Sequence, residues 1–120
     1  MYRSPMHIER LMKKLRKELR SGIYSYLVLS FLNRNRTMHG YAIRKEFERI
    51  SDGKVVPSEG ALYDILKSLQ KLGLIEGEWV EAGKRLRKCY SITPLGKLVF
   101  EEMRAEIRLL EEIIRREVGE

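Results

Sequence analysis

Apolar positions in the first fifty residues recur at intervals of three and four. Ile8, Leu11, Met12, Leu15 and Leu19 share one face of a helix, while Lys13, Lys14, Arg16 and Lys17 occupy the rest of the cylinder. Ser21-Gly22 is expected to interrupt this basic amphipathic helix, and a second one follows over Ile23 to Asn33, with Leu27, Phe31 and Leu32 facing a core. "TMHG" opens a third helix, His39 to about Ile50, that should bury Ile43, Phe47 and Ile50. "SDGK" reads as a turn. In "VPSEGALYDILKSL" the same spacing predicts a fourth helix, with Ser58 as N-cap, Leu62, Ile65, Leu66 and Leu69 as the buried ridge, and Gly73 as its left-handed stop. A helix, a short turn and another helix make a helix-turn-helix.

After Gly73 the period drops to two. "LIEGEWVE" places Ile75 and Trp79 on one side of an extended chain, and "RKCYSIT" returns with Tyr90 and Ile92 in alternation, so a β-hairpin is predicted. Its turn, "AGKRLRK", carries Lys84, Arg85, Arg87 and Lys88. Thr93-Pro94 then starts a last helix, since threonine caps free amides and proline suits the first turn. Its seam of Leu95, Val99, Met103, Ile107, Leu110 and Ile114 exceeds what so small a domain can cover, and pairing with a second copy would bury it. Leu11 and Leu15 of the N-terminal helix are its natural companions, and folding back onto its own domain is the alternative. The fold class is therefore mainly α with a small β-hairpin, a winged helix-turn-helix with N- and C-terminal dimerisation helices. The expected boundaries are 1–20 for the basic helix, 21–93 for the winged helix-turn-helix, and 94–120 for the C-terminal dimerisation helix.

Charge sharpens this picture. The 120 residues carry 24 Lys and Arg against 17 Asp and Glu. Residues 1–50 hold 12 basic and 4 acidic side chains, whereas 91–120 hold 5 and 7, so the positive field sits at the front. Such a field suits nucleic acid or an anionic membrane surface, although solvated helix faces can also be lysine-rich. One cysteine, Cys89, excludes an internal disulfide and a cysteine-based zinc site. No stretch reaches the roughly 20 apolar residues of a membrane span, and the opening residues lack the apolar core of a signal peptide, so the expectation is a cytoplasmic chain without a membrane partner. His7 and His39 lie in different segments, and no nucleophile and base, phosphate-cradling loop or metal-ligand spacing occurs. Neither catalysis nor a cofactor or metal is expected.

The first turn of the fourth helix is stripped to small residues, Ser58, Gly60 and Ala61. A helix N-terminus offers unpaired N–H groups and partial positive charge, and small side chains let it enter a major groove about 12 Å wide. Tyr63 and Lys67 would reach the flanking backbone, and the four hairpin cations would hold phosphates. Each residue also has a plain structural role open to it, Ser58 as a cap and Tyr63 as a rim residue of the core.

The segments "TMHGYAIRKEFE", "VVPSEGALYDILKSLQKLGLIEGEW" and "RKCYSITPLGK" resemble the PadR family of transcriptional regulators over roughly residues 17–100. The resemblance implies a homodimeric repressor joined through its terminal helices and acting on double-stranded DNA, and its length is similar to the family's compact branch. Two recognition helices one DNA turn apart, about 34 Å, imply a near-palindromic operator. His39 and Tyr41 are similar to family positions near the DNA backbone, with a helix cap and a core tyrosine as alternative roles. Glu59 stands where the family often has Pro, and its carboxylate is an acceptor suited to a cytosine amine. Ala61 stands where the family often has Ser or Thr. The resemblance also implies a small-molecule effector at the dimer interface, where several members bind flat aromatic compounds. The competing reading is a winged-helix module that docks a protein or membrane surface through its basic N-terminal helix.

Overall fold

The computed structural model describes residues 5–119. Four helices and three strands follow in the order α1 (Pro5–Arg34), β1 (Met38–His39), α2 (Gly40–Ser51), α3 (Glu59–Lys71), β2 (Ile75–Ala82), β3 (Arg85–Ile92) and α4 (Pro94–Val118). The strands form one antiparallel sheet in the order β1-β3-β2.

The expected break at Ser21-Gly22 does not occur, and α1 runs unbroken for 30 residues. A helix-interior glycine costs about 1 kcal/mol relative to alanine, too little to stop a helix supported on one side by core packing. That support comes from Val28, Leu29, Phe31 and Leu32, all buried, and the Ser21 hydroxyl donates back to the Glu18 carbonyl without ending the ladder. A second correction concerns Ile50, which is 44% exposed because α2 makes its core contacts with Ile43 and Phe47 alone. The short strand β1 is an addition to the sequence reading. Met38 and His39 pair with Tyr90 and Cys89 before the chain turns into α2.

Helix boundaries follow the capping residues. Ser58 accepts from the Ala61 amide at 3.1 Å and opens α3. Gly73, at φ +78°, closes the chain after α3 in the left-handed region where a side chain would be strained. Thr93 caps α4 by accepting from Gly96 at 3.0 Å, and its hydroxyl donates to the Gly73 carbonyl at 2.7 Å, which ties the start of α4 to the end of α3.

The core joins all three parts of the domain. Phe31 and Phe47 meet edge to face with centroids 5.0 Å apart, Tyr24 meets Phe47 at 5.5 Å, and Leu62, Leu66 and Leu69 of α3 close the same cluster. Tyr26 stacks on Phe100 at 5.2 Å, so α4 enters against α1. The radius of gyration, 17.0 Å, exceeds the about 14 Å of a compact chain of this length. The excess comes from α1 and α4, whose far ends project beyond the core.

Candidate nucleic-acid interface

Seen from α3, the molecule presents a first turn of small residues flanked by the hairpin on one side and α1 on the other. Leu62, Leu66 and Leu69 are buried, so the opposite face of the helix, with Gly60, Tyr63, Asp64, Lys67 and Lys71, points to solvent. Ser58 and Glu59 are exposed as well, and Ala61 is half-buried. An added Cβ at Gly60 would meet no atom within 4 Å, so packing inside the protein does not require glycine there.

The hairpin is longer than the sequence reading allowed. Its strands pair as far as Ala82 and Arg85, which leaves only Gly83-Lys84 as the turn, with Gly83 at φ +66°. The four cations therefore do not share a loop. Lys84 sits at the tip, while Arg85, Arg87 and Lys88 lie on β3. Because neighbours along a strand face opposite ways, Arg85 and Arg87 share one face and Lys88 turns to the other. There its ammonium lies 5.9 Å from the Trp79 ring centroid and 5.8 Å from that of Tyr90.

Between the hairpin, α3 and the start of α2 lies a cavity of about 590 Å³. It gathers six of the residues singled out in the sequence, His39, Tyr41, Glu59, Tyr63, Arg87 and Lys88, from four separate elements. Tyr41, 67% exposed, is no core residue. Its ring stacks beside His39, and the Lys45 ammonium lies 5.4 Å from its centroid.

His39 sets the chemistry of this corner. Its Nδ1 accepts from the Ala42 amide at 3.1 Å and caps α2, while Nε2 lies 2.9 Å from the Arg87 guanidinium. Neutral imidazole has one accepting nitrogen, so it cannot accept from both the Ala42 amide and Arg87 at once. Burial and then the Arg87 charge hold the His39 pKa below its usual value, which keeps the ring neutral.

Two residues of the site escaped the sequence reading. Arg44 donates from Nε to the Pro57 carbonyl at 2.9 Å and braces the chain just before α3. No local pattern announces it, because the contact spans 13 residues. Asp64 sits on the outward face among the cations, and helical spacing from Gly60 and Lys67 could have placed it there.

The predicted pairing residues divide into two groups. Val99 and Met103 pack against the core of their own protomer, and Ile107 is half-buried. Leu11, Leu15, Leu110 and Ile114 are 47 to 62% exposed.

The PadR-like family of transcriptional regulators matches residues 28–102, which span α2, α3 and the whole hairpin. The chain belongs to that family. Among PadR-like proteins, its structure is similar to a PadR family transcriptional regulator from Eggerthella lenta, 28% identical with a TM-score of 0.79, covering 94% of this chain and 96% of that one. A transcriptional regulator from Clostridium thermocellum is 27% identical with a TM-score of 0.77 over 82% of this chain and 93% of that one. The transcriptional regulator YqjI of Escherichia coli is 34% identical over 94 residues, 78% of this chain. The chain spans only 44% of that regulator's length. The fold is also that of Bacillus subtilis PadR in complex with operator DNA, at 24% identity and a TM-score of 0.62 over 68% of this chain and 46% of that one. Among the described residues of this PadR-like protein, no helix is long and apolar enough to cross a membrane.

Proposed function

We propose that this PadR-like regulator is a sequence-specific DNA-binding repressor that acts in the cytoplasm as a homodimer on a near-palindromic operator. The observation that carries the reading is the exposed, small-residue first turn of α3 beside a hairpin that carries exposed cations. A major groove admits one helix, and small side chains at Ser58, Gly60 and Ala61 let the helix amides approach base edges and phosphates. Tyr63 and Lys67 border that groove, and Lys84, Arg85 and Arg87 reach the adjoining strand. Asp64 and Glu59 on the same surface favour cytosine amines and disfavour random phosphate contact.

Dimerisation doubles the contact. Exposed apolar residues line the first half of α1, among them Leu11, Leu15 and Leu19, and the last half of α4, among them Leu110, Ile113 and Ile114, the two segments that project from the core. Pairing them with a second copy would bury both stripes and set two recognition helices about one DNA turn apart. A family member that blocks a promoter in this way represses. An effector seated on aromatic side chains of α4 finds little support, since Phe100, the only aromatic of that helix, is spent on Tyr26.

The test is selection of bound fragments from the source genome, followed by fluorescence anisotropy on the recovered duplex across a salt series. The expected result is a recurrent inverted repeat, bound at least about 1,000-fold more tightly than random duplex, with log affinity falling linearly against log salt. Equal binding to random DNA at physiological salt would refute sequence recognition. Flat salt dependence would refute phosphate contact.

A further inference from the structure

The far flank of α3 carries a second charged surface. A groove of about 770 Å³ separates the first half of α1 from the start of α3, and Lys13, Arg16, Lys17 and Arg20 line it from α1 while Ser58 and Ala61 line it from α3. Positions 13, 16, 17, 20 and 24 form one stripe at about 3.6 residues per turn. Tyr24 ends that stripe inside the core against Phe47, and so fixes the rotation of α1 that turns the cations towards α3. Their direction is set by packing and not by side-chain freedom.

We infer that this basic stripe is a third edge of the DNA interface, gripping the phosphodiester backbone on the side of α3 opposite the hairpin. The inference rests on the DNA-binding reading above and adds to it a contact made by residues outside the family match, which begins at residue 28. Continuity supports it, because Ser58 and Ala61 belong both to this groove and to the leading turn of α3. Charge supports it too. Of the four cations, only Arg16 has an acid partner among the described residues, Glu9 at 3.8 Å on an exposed surface, and Asp64 is the single acid lining the groove.

Pairing of subunits leaves the stripe open. Ile8, Leu11, Leu15, Leu19 and Ile23 form an exposed apolar stripe on α1 that, at about 3.6 residues per turn, lies on roughly the opposite side of the cylinder from Lys13, Lys17 and Arg20, while Met6, also exposed, lies on the basic side. A second copy that covers the apolar stripe therefore leaves Lys13, Lys17 and Arg20 open, while Arg16 borders the covered face. Met6 is exposed on the same side as Lys13 and Lys17, but the continuity of the stripe with the leading turn of α3 favours DNA over an anionic lipid surface.

The full-length protein with Lys13→Ala, Lys17→Ala and Arg20→Ala combined tests the inference, by anisotropy on the genome-selected duplex across a salt series. Each lost phosphate contact lowers the slope of log affinity against log salt by about 0.9, so the triple variant should lose about 2.7 per protomer, or about 5.4 for a dimer on the duplex. Its preference for the selected duplex over random duplex should remain, since phosphate contacts carry no sequence. Sedimentation should show an unchanged assembly state, and Lys14→Ala, off the stripe, should keep the wild-type slope. An unchanged slope in the triple variant, beside a reduced slope in an Arg85→Ala, Arg87→Ala control, would overturn the inference and leave the DNA-binding reading standing. If the hairpin control also kept the wild-type slope, the DNA-binding reading itself would fall. Co-flotation of the wild type with phosphatidylglycerol vesicles, lost in the triple variant while its DNA slope stayed unchanged, would assign the stripe to a membrane and overturn the inference.

Discussion

Single residues in this domain separate into those fixed by the fold and those left free for a partner, and two glycines show the difference. At Gly96 an added Cβ would overlap the Leu74 carbonyl and crowd Ile92, and backbone atoms cannot swing aside as a flexible side chain can. Gly96→Ala should therefore lower stability by about 3 kcal/mol, read as a shift in the urea midpoint. At Gly60 the space is open, so Gly60→Ala should raise stability by about 0.5 kcal/mol through the unfolded state while weakening DNA binding, because its methyl enters the surface offered to the groove. Unchanged affinity in Gly60→Ala would mean that the first turn of α3 does not approach DNA closely. His39 adds a pH dependence. Its pKa is lowered in the fold, so between that value and the ordinary one near 6.5 the unfolded chain binds more protons. The stability that neutral His39 contributes is complete above about pH 6.5 and is lost as pH falls through that window. Asparagine caps helices without titrating, so the thermal midpoint of His39→Asn should fall less than that of the wild type between about pH 7.5 and 5.5. Cap residues such as Ser58, Gly73 and Thr93 were legible in the sequence because capping is local chemistry. The Arg44 to Pro57 bond and the His39 to Arg87 contact were not, since only the folded chain brings those positions together.

At the scale of elements, hydrophobic period and caps located the four helical regions and the hairpin, and they failed where tertiary packing overrode a local signal. Ser21-Gly22 is a legitimate stop in an isolated peptide, yet packing of Val28, Leu29, Phe31 and Leu32 anchors one end of α1 and lets the helix continue through the glycine. The consequence is mechanical, since a continuous helix holds the cations of its first half at a fixed angle to α3. Gly22 is exposed, and an added Cβ meets nothing within 4 Å, so Gly22→Ala should stabilise the protein by about 1 kcal/mol in chemical denaturation if α1 is unbroken. A hinge at that point would instead give no gain. The hairpin shows the opposite error. Its cations were read as a loop because lysine and arginine are poor strand markers, but cross-strand pairing of Val80 with Arg87 and Trp79 with Lys88 extends the ladder almost to Gly83. Strand alternation then divides the cations, with Arg85 and Arg87 on one face while Lys88 covers Trp79 and Tyr90 on the other.

For the molecule as a whole, the decisive quantity is apolar surface without an internal partner. Leu11, Leu15 and Leu19 on α1 and Leu110, Ile113 and Ile114 on α4 are each 47 to 73% exposed, far from the core that holds Val99 and Phe100. The seam read from the sequence is therefore two surfaces in series, one packed on the chain's own core and one exposed. Periodicity could not place that division, because both halves of α4 repeat with the same spacing and only the position of α1 decides where the core ends. Leu110→Glu combined with Ile114→Glu should convert the protein to a monomer in sedimentation velocity while leaving its far-ultraviolet circular dichroism and the pH response of His39 intact, since neither side chain touches the core. A monomer retains one recognition helix and loses the second, so binding to the inverted repeat should fall to the level of a single half-site, with roughly half the salt slope. Val99→Glu, on the same helix, would break the core and lower the thermal midpoint as well. The contrast between the two variants separates a pairing surface from a folding one, and a dimer that survived the double substitution would place the subunit contact elsewhere.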